Sequence, residues 1–323
     1  QWFNANLGAS DLAYVTRQQE PETNQLARVK SAIRALPGAA AERHFAAFAK
    51  QLGQSANSLR PELKPRYLRA GLEIVGNHPK AADARKLAAY YDDLLEELEL
   101  VVRLDGDATV GHGRPFGVFV ALRHTADLER EAGGFGRYLR NVKNSNPYYY
   151  NPYGGGQQRN FPEEFEKQVR EKLADHYDVK SVTFLDDKVK SRGFGRPGWR
   201  ETPLAYLLLQ AKDGSVDQLP AFNMDLDFSD ARGQVVLPVK SPVVLLDARP
   251  NRGPDRPLDK VEIVQTLDDR EMAQGRITLE VKATANGLVP DLNELLRTNF
   301  THLRIEEFGD HGLALNRLDA EAD

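Results

Sequence analysis

Four tyrosines and several arginines lie close together near the middle of the chain. The stretch NPYYYNPYGGGQQRNF, residues 146 to 161, contains Tyr148, Tyr149, Tyr150 and Tyr153, and a basic run with Arg137 and Arg140 precedes it. Aromatic rings beside arginines could stack on and neutralise a single strand of nucleic acid. Tyrosine, asparagine and glycine are also typical of adaptable protein-binding loops, because tyrosine offers a large contact area for few rotatable bonds. The net charge of −4 provides no overall basic field, so we expect a protein partner and no nucleic acid.

We call residues 144 to 160 the tyrosine segment. It holds three consecutive glycines and no aliphatic side chain. Such a chain buries too little apolar surface to offset an ordering cost of about 1–2 kcal/mol per residue. We therefore expect either a surface insertion without a partner or a recognition element whose tyrosines become ordered against another protein.

An acidic motif offers a different chemistry. The run VVRLDGDATV places Asp105 and Asp107 directly after apolar residues, and its D-x-D-x-T pattern resembles the first motif of haloacid dehalogenase-like phosphotransferases. The resemblance implies that Asp105 is a nucleophile and Asp107 an acid/base, that both help to hold Mg²⁺, and that the pair at 186 and 187 completes the metal site. That family is built from parallel α/β units, which the sequence does not show.

An internal repeat favours a structural interpretation of this motif. The run LDGDATVGHGRPFGVFVAL aligns with LDDREMAQGRITLEVKA, so that Asp105 coincides with Asp268. The second copy has Arg270 and Met272 where a phosphotransferase needs Asp and Thr. The pattern therefore predicts a polar loop before a strand, repeated once, and the phosphotransferase is retained as the alternative to a protein without enzymatic activity.

The elements that position these residues are helical at the start of the chain. Apolar residues recur at helical spacing from residue 23 to about 98, for example Leu26, Val29 and Ile33. Pro37 and Gly38 end the first helix, and Pro79 lies in the first turn of the last. We expect a small helical layer within residues 1 to 98.

Alternation with a period of two begins after residue 99, most clearly in residues 116 to 122. Further strands are predicted at 181 to 185, 204 to 211, 222 to 228, 234 to 239 and 243 to 247. Short strands with polar turns favour antiparallel immunoglobulin-like β-sandwich domains, at 99–250 and, incomplete, at 251–323. One helix at about 162 to 176 lies in a long insertion, residues 125 to 177. The predicted fold class is mostly β with an N-terminal α region.

The run LPAFNMDLDFSDARGQVVLPVKSPVVLLDARP, together with the strand–polar loop–strand repeat, resembles the aerotolerance-associated BatD-like proteins. This resemblance covers residues 99 to 323. It implies tandem sandwich domains without catalytic residues, in bacterial proteins that are anchored in the membrane and lie outside the cytoplasm, here through segments beyond this chain. It also implies membrane proteins with von Willebrand A domains as associates, together with a cytoplasmic MoxR-type ATPase. A periplasmic scaffold is the function we expect.

Composition excludes several kinds of site. The chain of 323 residues has no cysteine, so disulfides, thiolate metal sites and cysteine nucleophiles are absent. None of the seven histidines forms a pair with zinc-ligand spacing. No apolar run approaches the roughly 20 residues that cross a bilayer. We expect no metal, no cofactor and no direct insertion of this chain into a membrane.

Overall fold

The computed structural model describes residues 35–57, 59, 61–139, 160–185, 190–230, 232–254 and 259–287, and the single residues 289, 304 and 309. These residues form mostly antiparallel β-structure behind a small N-terminal helical region, as the sequence predicts.

Three helices form the described part of the N-terminal layer. They are α1 (Gly38–Asn57), α2 (Lys64–Val75) and α3 (Ala82–Glu96). Leu52 of α1 and Leu68 of α2 are fully buried between them. Gly71 of α2 allows this close approach, because a Cβ at that position would collide with the Leu52 side chain. A short 3-10 turn, Pro79–Ala81, leads into α3, and the His78 side chain accepts a hydrogen bond from the Lys80 amide (3.1 Å). The predicted proline-containing start of this last helix is confirmed.

A five-stranded antiparallel sheet follows the helices. Its strands are β1 (Leu98–Leu104), β2 (Phe116–Thr125), β3 (Tyr177–Phe184), β4 (Arg192–Gly193) and β5 (Trp199–Ala211). Their order is β1-β2-β5-β3, and β4 pairs with β5 beside β3. The long strand β5 is therefore central, with β2 along one edge and β3 and β4 along the other.

Two helices are described between β2 and β3. They are α4 (Ala126–Ala132), which the sequence analysis missed, and α5 (Phe161–Leu173). Phe165, Val169 and Leu173 of α5 are buried, so the predicted apolar stripe of this helix is confirmed. The described residues between 125 and 177 thus include two helices and the 3-10 turn Gly136–Leu139.

Smaller strands complete the core. They are β6 (Gln218–Leu219), β7 (Asn223–Asp230), β8 (Gly233–Lys240) and β9 (Val244–Leu245). β7 and β8 form a hairpin, and β6 pairs with β9. The buried side chains of the hairpin, such as Leu226, Phe228 and Leu237, belong to the same continuous core as the sheet and the helical layer. Two β-layers that share a core fit a β-sandwich.

A final hairpin contains β10 (Asp259–Asp268) and β11 (Thr278–Asn286). Both copies of the predicted repeat are antiparallel hairpins, because β1 also pairs with β2 across a loop. The two hairpins differ in burial. Val118 and Val120 of β2 are buried, whereas Ile263 and Leu279 of the second copy are exposed.

Candidate functional site

The tyrosine segment leaves and re-enters the fold at one point. Tyr138, at the end of the 3-10 turn, and Phe161, the first residue of α5, bring their rings into edge contact, with centroids 4.6 Å apart. We call Phe135, Tyr138, Leu139 and Phe161 the loop base. Tyr138 is 1% exposed and Phe161 is half-buried, so the contact that joins the two ends of the excursion packs against the core.

Local sequence signals explain how the first half of the loop base is built. The Thr125 hydroxyl oxygen accepts a hydrogen bond from the Leu128 amide (3.1 Å) and so caps the start of α4. Gly133 adopts a left-handed conformation (φ 71°) that ends this helix. The chain then turns through Phe135 to Tyr138, whose hydroxyl group donates a hydrogen bond to the Asp227 carbonyl on β7. This contact ties the loop base to the β7–β8 hairpin.

The second half of the loop base is the start of α5. Pro162 lies in the first turn, where its missing N–H group costs no hydrogen bond. Glu163 and Glu164 place negative charge at the positive end of the helix dipole. These residues fix the point at which the chain returns to the fold.

A row of rings connects the loop base to the sheet. The ring centroids of His124, on β2, and Phe135 are 4.5 Å apart, and those of Phe135 and Tyr138, which are stacked, are 6.0 Å apart. His124 is fully buried, and its Nε2 is 2.8 Å from the Thr202 hydroxyl oxygen. Its Nδ1 is 3.1 Å from the Thr125 carbonyl oxygen, which can only accept, so Nδ1 carries a proton, and the Thr202 hydroxyl group is able to donate to an unprotonated Nε2. The partners of His124 therefore suit the neutral ring.

Burial lowers the pKa of His124 below its ordinary value. The Thr125 carbonyl and Glu129 oppose this shift, and Arg200 adds to it. A lowered folded-state pKa means that the unfolded chain binds the proton more readily as the pH falls. We expect this contribution to stability to be complete above the unfolded-state pKa of about 6.5 and to be lost below it, by at most about 1.4 kcal/mol per pH unit.

Chemical denaturation of the full chain at pH 7.5 and pH 5 measures this effect. We expect His124→Gln to reduce the difference in unfolding free energy between the two pH values. His176→Gln is the matched control, because His176 lies exposed beyond α5. A His124→Gln variant that loses as much stability as the wild type on acidification would contradict this role of His124.

Most of the predicted partner-binding residues lie outside the described residues. This applies to Tyr148, Tyr149, Tyr150, Tyr153 and Arg140. Arg137 lies in the 3-10 turn of the loop base, so at least one predicted residue belongs to the anchoring structure. The contact between Tyr138 and Phe161 was not predicted, although two aromatic residues that flank a segment rich in glycine were visible in the sequence.

The two aspartates of the acidic motif have structural partners. Asp105 accepts a hydrogen bond from the Tyr206 hydroxyl group of β5 (2.7 Å), and Asp107 accepts one from the Thr109 amide (2.9 Å). The following loop runs along residues 247 to 251, with Gly113 donating to the Asn251 carbonyl (2.7 Å). The sheet that carries Asp105 is antiparallel, unlike the parallel sheet that the phosphotransferase resemblance implies.

The solvent-facing side of the sheet carries a second cluster, which the sequence analysis missed. Guanidinium groups lie over aromatic rings in three places, at 5.4 Å, 4.3 Å and 3.9 Å from the ring centroids: Arg103 over Phe119, Arg123 over Phe194 and Arg196 over Trp199. The carboxylate of Glu201 contacts Arg123 (2.8 Å) and Arg103 (3.4 Å). The alternation of arginine, glycine and aromatic residues in SRGFGRPGWRE, residues 191 to 201, could have indicated this cluster. These arginines already contact aromatic rings, and two of them also contact Glu201. We therefore interpret the cluster as a structural layer that covers this side of the sheet.

Three broader findings bear on the site. Within the described ranges, no helix is long and apolar enough to cross a membrane. The same ranges contain no group of three or more histidine, aspartate or glutamate side chains placed to hold a metal ion, while the predicted pair Asp186 and Asp187 lies outside them. Comparisons with protein-family models, with curated proteins and with solved structures found no match to this chain.

Proposed function

We propose that this chain is a protein-interaction region without enzymatic activity, which presents the tyrosine segment to a protein partner. The observation that carries the proposal is the contact between the buried Tyr138 and the half-buried Phe161 at the loop base. A segment whose two ends are joined in the core can be long and variable without disturbing the fold. The loop base then stabilises the fold, while the tyrosine segment is available to bind a partner.

The residues of the tyrosine segment suit this role. Tyrosine is enriched among the residues that contribute most to protein–protein affinity, and a partner would supply the apolar burial that the segment itself lacks. The loop base reduces the cost of binding, because the ends of the segment are already held in place.

The resemblance to BatD-like proteins supports a location for this activity. The finer proposal is that the antiparallel layers are immunoglobulin-like sandwich domains of a bacterial protein that is anchored in the membrane by parts beyond residues 1–323. The interaction region then lies in the periplasm or elsewhere outside the cytoplasm. Its partners are membrane proteins with von Willebrand A domains.

The partners of Asp105 and Asp107 support the absence of catalysis by the acidic motif. The Tyr206 hydroxyl group holds Asp105 against the sheet, and Asp107 closes a turn with the Thr109 amide. Both carboxylates thus stabilise the loop between β1 and β2.

Photo-crosslinking from position 149 in living cells tests the proposed function: we expect an adduct with the protein partner.

A further inference from the structure

Strand β11 is an open edge. It pairs with β10 on one side and with no other described strand. Its nine residues, TLEVKATAN, contain neither proline nor glycine, and its register with β10 is regular from Glu262 to Asp268. A regular strand of this kind leaves a row of unpaired N–H and C=O groups, which is a template for another strand.

Other strands show the irregularities that prevent such pairing. In β3, one of the two edge strands of the main sheet, the register shifts between Val179 and Ser181, and Lys180 lies at the shift. An Arg170 guanidinium group also donates to the Val179 carbonyl oxygen (3.1 Å). In the second hairpin, β10 carries a shift between Asp259 and Glu262. Bulges oppose strand addition, and β11 has no bulge. β11 does carry Lys282, so a strand that pairs with it must place an acidic side chain opposite this lysine.

The β10–β11 hairpin leaves several apolar side chains exposed. Val261, Ile263, Leu267 and Leu279 share one face and are 49%, 48%, 59% and 41% exposed. An isolated two-stranded hairpin is marginal in water, and three or more strands with an apolar face are needed for independent stability. A further strand beside this hairpin, or a helix packed against it, would supply the missing burial.

We propose that the missing strand is β11 of a second copy of this chain, paired antiparallel about a twofold axis at Val281. In that register Glu280 of one copy lies opposite Lys282 of the other, twice per dimer. Leu279 lies opposite Ala283, so the apolar face continues across the axis. The result is a four-stranded sheet in which every cross-strand neighbour at the junction is compatible.

The charges of Glu280 and Lys282 favour the register with the twofold axis at Val281. An axis at residue 280 would place Glu280 opposite its own copy, and an axis at residue 282 would do the same for Lys282, and like charges directly opposite each other are destabilising. Within β10–β11, Glu280 faces Thr266 and Lys282 faces Val264. Neither charge therefore has an oppositely charged residue directly opposite it within this hairpin, whereas pairing with a second copy provides one for each.

Charge exchange in the full chain tests the proposal by sedimentation velocity. We expect the wild type to form dimers in a concentration-dependent way, in the roughly micromolar range of small interfaces. Glu280→Lys or Lys282→Glu alone should weaken the dimer about tenfold, since each replaces two attractive pairs by two repulsive ones. The double exchange restores both pairs and should restore the dimer.

Glu271→Lys is the matched control, because it makes the same charge change before the turn Met272–Gln274, away from β11, and should leave the dimer intact. A chain that remains monomeric at every concentration would overturn the proposal and indicate that another part of the chain covers β11. Dimers that are insensitive to the single exchanges, or that the double exchange fails to restore, would overturn it as well.

Discussion

Replacement of Tyr138 by alanine is expected to cause the largest loss of stability among the changes considered. Tyr138 is 1% exposed, contacts the rings of Phe135 and Phe161, and donates a hydrogen bond to the Asp227 carbonyl. Removal of a buried aromatic side chain costs about 3–5 kcal/mol. For a chain of this size we expect a fall in melting temperature of about 5 °C by differential scanning calorimetry.

Tyr138→Phe separates packing from hydrogen bonding. The ring stays in the loop base and only the hydroxyl group is lost, so we expect a cost of about 1 kcal/mol. Equal losses for the two variants would show that the hydroxyl group, and not the ring, holds the loop base. A Tyr138→Ala variant as stable as the wild type would remove the structural basis for the proposed presentation of the tyrosine segment.

Deletion of the tyrosine segment is expected to abolish partner capture while leaving the fold stable. The change replaces residues 145 to 158 by a short Gly-Ser bridge, which the closeness of Tyr138 and Phe161 makes possible. A shorter connection lowers the entropic cost of closure only slightly, so we expect a melting temperature within about 2 °C of the wild type. Capture of membrane proteins with von Willebrand A domains from a detergent extract should be lost.

The control for this deletion is Lys80→Ser, an exposed change on the helical layer, which should leave capture intact. A large fall in melting temperature after the deletion would show that the tyrosines are part of the core. The recognition role would then fail. Retained capture with unchanged stability would also exclude it, since the partner would bind elsewhere on the chain.

The sequence predicted those elements whose patterns are long and regular. α5 and β2 follow directly from their apolar spacing. α4 was missed because seven residues are too few to show a helical period, although Thr125 and Gly133 carry ordinary start and stop signals. The central place of β5 could not be predicted either, since strand partners depend on contacts between residues far apart in the chain.

In the candidate site, too, local features were predictable from the sequence and contacts between distant residues were not. The composition of the tyrosine segment is a local property and was visible in the sequence. The contact between Tyr138 and Phe161 depends on how two helices pack against the sheet, and no local pattern encodes that. Similarly, Asp105 and Tyr206 are 101 positions apart, so the acidic motif could suggest a catalytic site before the structure supplied its partner.

Photo-crosslinking from the tyrosine segment tests the central claim most directly. A benzoylphenylalanine in place of Tyr149 in the full-length protein in its native cells reacts only with groups that touch this position. We predict an adduct with a membrane protein that carries a von Willebrand A domain outside the cytoplasm, and no such adduct from the control position Lys80. Adducts only with cytoplasmic proteins, no adduct at all, or the same adduct from both positions would contradict the account.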